Sequence, residues 1–313
     1  MISFIIIGRN ESWKLTKCIQ SVLNAAHSNH INNYEIIYVD SNSTDDSVKR
    51  VKQFSNVKAF ILTSDYNAAI ARNVGVKKSK GDVLFFIDGD MEIIPTFLPL
   101  VYNEKDGLLI DYISGNWINY YYDHNNKLIK KEKFENKDTD SKETVTGGLF
   151  LINKNTWDLV GGMNDKFKKS QDTDLGLRLA NKGIFLLRKM NMAAIHHTIA
   201  YLDKKRMWQD FLNWNHLYGR SFLYRTHIFN KHVYKRMFRN DYTLLLLIIC
   251  IVASIFLKKF AFIVFLLYAM TVAFRAKFKV RNSLYFFLRD LSVLIGIFIF
   301  FPKKKEVSFE KIK

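Results

Sequence analysis

From residue 2 to residue 90 the chain alternates between short unbroken apolar runs and longer stretches in which apolar residues recur every three or four positions. Ile2–Ile7 is too short for a buried helix and reads as a strand covered on both faces. Ser12–Ala26, with Leu15, Ile19, Val22 and Leu23, reads as a helix. Tyr34–Val39 is a second strand and Asp45–Phe54 a second helix, with Ser43 or Thr44 as its N-cap. Val57–Leu62, Asn67–Lys78 and Val83–Ile87 continue as strand, helix, strand. Such alternation predicts right-handed crossovers and an α/β architecture with a mostly parallel sheet.

The pattern then changes. Tyr112–Tyr122 and Gly147–Ile152 read as strands, separated by the polar segment Asp123–Val145, a long loop or exposed hairpin. Gln171–Asn181 is a short helix and Ile184–Leu187 a short strand. Residues 204–240 mix aromatics with Lys and Arg at helical spacing. Tyr242–Leu257 and Phe260–Phe274 are apolar runs of 16 and 15 residues separated by Lys258–Lys259. Each spans roughly 24 Å as a helix, against a hydrocarbon core of about 30 Å. They are expected to form two short tilted spans or a re-entrant pair; a buried soluble hairpin is the alternative. Leu291–Phe301 is a third run, long enough to cross only if Leu284–Leu288 joins it across Arg289 and Asp290.

Charge sharpens this division. The formal net charge is +18, of which residues 1–200 carry +3 and residues 201–313 carry +15. Basic residues beside apolar segments point to anionic membrane lipids as partners and away from nucleic acid. Two cysteines, Cys18 and Cys250, are too few for a disulfide scaffold. Met1–Gly8 lacks the basic start of a signal peptide, so the N-terminal unit is expected to stay on the cytosolic side.

Candidate chemistry lies where the strands end, the place at which open α/β sheets bind ligands. Asp88-Gly89-Asp90 closes the fourth strand, and two carboxylates on a glycine turn suit a hard divalent cation and the phosphates it bridges. Asp40 closes the second strand, where it accepts a base imide or caps a turn. Arg72 is a donor to base or diphosphate, or a plain helix-surface cation.

The ordered set IIIGRNE, YVDSNSTDDS, AIARNVG, FFIDGDM, GGLFLINKNTWDLVGGMND and QDTDLGLRL resembles family 2 glycosyltransferases with the GT-A fold, over residues 2–200. The resemblance implies a Rossmann-like mixed sheet, a nucleotide-sugar donor (UDP by default), Mn²⁺ or Mg²⁺, and inversion at the anomeric carbon. It implies nucleotide-sugar contacts from Asn10, Glu11, Asp40, Arg72 and Asp88. Metal binding falls to Asp88 and Asp90, completed by a histidine of the His196-His197 pair, His197 before His196, with a plain surface or core histidine as the alternative for each. Asp172 becomes the catalytic base that takes the acceptor proton; Gln171 stands where relatives carry an acid. Gly147 and Gly148 leave room for the sugar, and Trp157 either stacks on it or belongs to the core. Gly8, Arg9 and Met163 depart from the family pattern.

The expected organisation is a catalytic GT-A domain over 1–200, a basic amphipathic helical linker over 201–240 and a membrane-associated helical region over 241–313. The expected activity is transfer of a sugar to a membrane-linked saccharide or polyprenyl acceptor in surface polysaccharide synthesis, at the cytosolic face of the inner membrane. Transfer to a bare polyprenyl phosphate is the nearest alternative. A non-catalytic membrane-tethered basic module is the remaining one.

Overall fold

A computed structural model describes residues 1–123, 125–134, 138–199 and 206–313. The expected boundary at residue 200 lies outside them. The chain divides into two compact units, Met1–Leu202 with Lys304–Lys313, and Asp203–Lys303.

The first unit opens with β1 (Ile2–Gly8), α1 (Ser12–Ser28), β2 (Tyr34–Asp40), α2 (Ser47–Val51), β3 (Val57–Leu62), α3 (Ala68–Lys78) and β4 (Val83–Asp88). It continues through β5 (Met91–Ile93), β6 (Tyr102–Asn103), β7 (Gly107–Leu108), β8 (Tyr112–Tyr122), β9 (Leu128–Lys133), β10 (Ser141–Glu143) and β11 (Leu149–Asn153). After α4 (Lys154–Leu159) and α5 (Gln171–Asn181) comes the long β12 (Leu186–Ile199). The main sheet runs β10-β12-β8-β11-β4-β1-β2-β3-β13, where β13 is Phe309–Lys311. Strands β3, β2, β1 and β4 are parallel, and β11 joins β4 antiparallel. This is the α/β architecture expected, a mixed sheet whose centre is parallel.

Pleating explains why the first strands are apolar without interruption. Phe4 and Ile6 of β1 pack with Leu15, Ile19 and Val22 of α1, whereas Ile5 and Ile7 pack with Ile70 and Val74 of α3. Each buried side chain of this size stabilises the fold by about 1.5–3 kcal/mol relative to exposure. Because β1 is flanked by β2 on one side and β4 on the other, the chain reverses its winding between β1 and β4. The register there sets Gly8 beside Asp40 and Ile7 beside Asp88, so the carboxyl ends of the strands open on one crevice.

Some local expectations change. The second helix is shorter than its pattern, because the Ser43 hydroxyl donates to Asp40 and does not cap it. The polar segment keeps one of its two expected forms, an exposed hairpin in which β9 runs antiparallel to β8. Residues 304–313 belong to the first unit and not to the helical region: β13 pairs antiparallel with β3 and covers the sheet edge.

The second unit contains α6 (Arg206–Leu212), a π-helical turn at Leu217–Phe222, α7 (Leu223–Thr226), α8 (Lys231–Asn240), α9 (Tyr242–Phe256), α10 (Ala261–Arg275) and α11 (Val280–Ile299). Residues on either side of Arg289 and Asp290 do form one helix, and α11 is long and apolar enough to cross a membrane.

Candidate active site

Asp88 ends β4, and the turn through Gly89 leads into β5, which pairs with β12 around His196. Arg72, buried on α3, donates from Nη2 to Asp88 Oδ1 at 2.6 Å. The backbone carbonyl of Gly148 accepts from Asp88 N at 3.0 Å, and a Cβ at Gly148 would lie 2.2 Å from Asp88 Oδ2. Only glycine leaves that carboxylate room. Gly147 precedes it with a φ of 75°, in the left-handed region, and faces Trp117.

Glu11, at the start of α1, belongs to the same acidic group. Burial first, then the charges of Asp90 and Asp88, push its carboxyl up to about 7 against the pull of Lys14. Burial likewise pushes Asp88 up to about 6; Arg72 opposes it and Asp90 adds to it. Because Asp88 keeps 37% of its side-chain surface open, solvent tempers that shift.

His196 lies at the edge of this group. Its Nε2 is 3.2 Å from Asp90 Oδ2 and its Nδ1 is 2.8 Å from Asn119 Oδ1. Burial lowers its pKa, but the Asp90 contact outweighs that and the net shift is upward. The expectation that His197 completes a metal site is corrected. Successive residues of β12 face opposite ways, so His197 meets Glu92 and the Tyr122 hydroxyl and stacks edge-on with Trp13.

Two further residues each have two expected roles. Asp40 has both oxygens engaged, accepting from Tyr38 Oη at 2.6 Å, Ser43 N at 2.6 Å and Ser43 Oγ at 2.7 Å. It is fully buried and braces the Ser41–Thr44 turn, the turn-capping alternative its position offered. Asn10 ties the same turn to β1, its Oδ1 accepting from Thr44 N at 2.8 Å. Trp157 is core: it is buried and stacks at 4.7 Å on Phe86, with no free face for a sugar.

Asp172 occupies the first turn of α5. The close approach of Gly176, whose added Cβ would meet Thr144 O at 2.1 Å, presses this helix onto the segment leading to Gly148. One turn earlier on the same face stands Asp172. Its charge adds a minor part to the rise at Asp88 and, after burial, contributes to the rise at Tyr112. Asp174 points elsewhere, paired with Arg178 at 2.7 Å, and Arg178 Nη1 donates to Val160 O and Gly162 O. That pair clamps a turn and engages Asp174, the other carboxylate in the first turn of α5. A separate groove of about 600 Å³, lined by Asn73, Lys77, Lys154, Trp157 and Gly162, contains none of Asp40, Asp88, Asp90 or Asp172.

Among the described residues no three His, Cys, Asp or Glu side chains form a ready-made cation cage. The donor set still fits a hard divalent ion. Asp90 and His196 are adjacent, Asp88 stands two residues before Asp90 on the same turn, and such ions take remaining ligands from phosphates and water.

The family model for glycosyl transferase family 2 matches residues 3–168. The glycosyltransferase AglE of Haloferax volcanii is 28% identical over 160 residues, covering 48% of this chain and 52% of that protein. The UDP-Glc:alpha-D-GlcNAc-diphosphoundecaprenol beta-1,3-glucosyltransferase WfgD of Escherichia coli is 28% identical over 151 residues, 48% of this chain and 57% of that one. This chain thus spans about half the length of these relatives. Among solved structures, residues 1–349 of S. aureus TarS in complex with UDP align over 63% of this chain and 60% of theirs, with 16% identity and a TM-score of 0.45.

Proposed function

The chain belongs to glycosyl transferase family 2, and from that premise we propose that it is an inverting transferase. It moves a sugar from a nucleoside diphosphate sugar, UDP by default, to a hydroxyl of a membrane-linked glycan. The observation that carries this reading is the acidic turn at the carboxyl end of β4, where Asp88 accepts from Arg72 and Asp90 meets His196.

The diphosphate lies against the Asp88–Asp90 turn, with Glu11 and Arg72 at its border. Asp90 and His196 would hold Mn²⁺ or Mg²⁺, which when bound neutralises charge developing on the leaving diphosphate. Asp172 accepts the proton of the acceptor hydroxyl. Its oxygen bonds to the anomeric carbon from the face opposite the diphosphate as the C–O bond to the diphosphate breaks. One displacement inverts that carbon. Proton removal of this kind contributes about 10²–10⁴-fold. Gly147 and Gly148 let the backbone approach Asp88 and Trp117 closely, beside the position given to the sugar.

The acceptor is assigned to the membrane because the second unit exposes large apolar residues, among them Phe256, Phe262 and Phe274, and holds most of the basic charge. The catalytic unit works at the cytosolic face. A panel of nucleotide sugars, each with Mn²⁺ and with chelator, tests the donor side by thermal stabilisation. One donor is expected to raise the Tm only with metal, and Asp90→Ala to abolish that rise. Equal stabilisation of Asp90→Ala, or none by any nucleotide sugar, contradicts the reading.

A further inference from the structure

The second unit is an insertion between two parts of one folded sheet. After it, β13 pairs with β3, Phe309 opposite Leu62, and Lys305 Nζ lies 2.7 Å from Asp65 Oδ1. A bilayer cannot divide a hydrogen-bonded sheet, so the chain enters and leaves any membrane on the same side.

Within the unit, α9 and α10 form an antiparallel hairpin. At its base Arg275, the last residue of α10, donates to Thr243 Oγ1 at 2.8 Å, at the start of α9, and to Asn240 O at 2.5 Å, at the end of α8. Midway, Cys250 Sγ lies 3.4 Å from Val264 O, and Leu247, Cys250, Tyr268 and Val272 form a small core. The far end is the Lys258–Phe260 turn. Charge is confined to the two ends, since residues 242–257 and 260–274 contain no Asp, Glu, Lys or Arg. The half nearest the turn is the most exposed, with Phe256 at 80% and Phe262 at 79%.

The base is a polar layer. Buried Asp241 lies 2.8 Å from Arg220 and 3.3 Å from Arg289, and Arg289 pairs with Asp290 at 2.6 Å. Arg289 and Asp290 are the middle of α11; Arg289 joins the base, while Asp290 accepts from Tyr268 Oη at 3.4 Å and Leu294 packs on the hairpin core. The other face of α11 packs along residues 208–225, with Tyr285 on Trp208, Ser292 on His216 and Arg225 on the Ile297 carbonyl. Although α11 alone has the length and hydropathy of a span, a third crossing after α9 and α10 would leave β13 on the wrong side to pair with β3. Meanwhile α8 meets α9 at 100°. Its Lys231, Lys235, Arg236 and Arg239, with Phe238 exposed, suit a helix lying in the plane of an anionic interface.

We infer that the α9–α10 hairpin alone crosses a lipid bilayer, as two short spans, with Lys258 and Lys259 in the headgroup layer opposite the sheet-bearing unit. This rests on the membrane reading above and gives it a topology. Each helix is about 22 Å long at 1.5 Å per residue. Extended lysine side chains make up most of the remaining distance across a core of about 30 Å. Local thinning of the bilayer costs less than leaving two ammonium groups in hydrocarbon. Arg275, Lys277, Lys279 and Arg281 cluster after α10, as expected of the cytosolic end of a span.

Cysteine labelling of the full chain reads this directly, because Cys18 and Cys250 are both buried. In a bacterial host, Lys259→Cys is expected to react with a membrane-impermeant maleimide added to intact spheroplasts, and Lys303→Cys only in inverted vesicles; Lys258→Cys serves if the first variant misfolds. Reaction at position 259 confined to inverted vesicles, or absent from both preparations, overturns the two-span hairpin. So does recovery of the wild-type chain as a soluble dimer with its hairpins covered by each other. Sugar transfer on the same vesicles is read separately. Transfer with the wrong labelling pattern overturns the topology alone, and the expected pattern without transfer from any nucleotide sugar overturns the enzymatic reading alone.

Discussion

At the scale of single residues, the site depends on which way side chains face, and sequence pattern reveals that unevenly. The acids at the ends of β2 and β4 were legible because each follows an unbroken apolar run. What Asp40 does was not, since its partners Tyr38 and Ser43 fully occupy it only once the turn has folded. The two adjacent histidines were equally plain in the sequence, but the face each takes follows from the pairing of β12 with β5 and β8, which is non-local. This geometry makes a differential prediction. His196→Ala should raise the metal concentration needed for half-maximal transfer by about 10–100-fold, the scale seen when metal-site partners are lost. His197→Ala should leave that concentration unchanged and lower the Tm, because it removes the partner of Glu92 and Tyr122. Metal titration and thermal melts of both variants separate the two roles.

At the scale of elements, β1 to β4 were legible because a strand buried on both faces is apolar throughout. The strand β12 was read as four residues and is 14 long. Its polar residues hid it: Arg188 is buried, but it pairs with Glu143 at 2.7 Å and donates to Gly115 O at 3.0 Å, partners that local pattern does not show. Glu35 of β2 is a second buried charge with remote partners, Lys58 Nζ and Ser3 Oγ at 2.7 Å and the Lys80 amide at 2.5 Å. Burial by itself raises its pKa, yet those hydrogen bonds outweigh burial and hold the carboxyl below its ordinary 4.5. A depressed acid stabilises the fold above its unfolded pKa and loses that contribution as the pH falls through the folded value. Glu35→Gln should therefore cost about 1–3 kcal/mol in urea unfolding at pH 7. The difference from wild type should shrink once the pH drops below 4.5.

At the scale of the whole molecule, the uneven charge was the clearest signal, with +15 of +18 in residues 201–313. It divided the chain by chemistry but hid the return of the last residues to the first sheet, because a strand as short as β13 leaves little periodicity. Truncation after residue 240 would thus remove an edge strand as well as the apolar helices, and charge reversal is the cleaner probe. Replacing Lys235 and Arg239 of α8 with Glu should weaken partition onto anionic vesicles by about 30-fold or more, at roughly 1 kcal/mol per basic residue. Binding to neutral vesicles should change little. The central claim is that Asp172 removes the acceptor proton opposite a diphosphate held at Asp88 and Asp90. Single-turnover transfer by Asp172→Asn, measured beside its affinity for UDP, tests it most directly. The account predicts a rate lower by about 10²–10⁴-fold with UDP binding retained. Transfer near the wild-type rate, or a loss of UDP binding as large as the loss of rate, would contradict it.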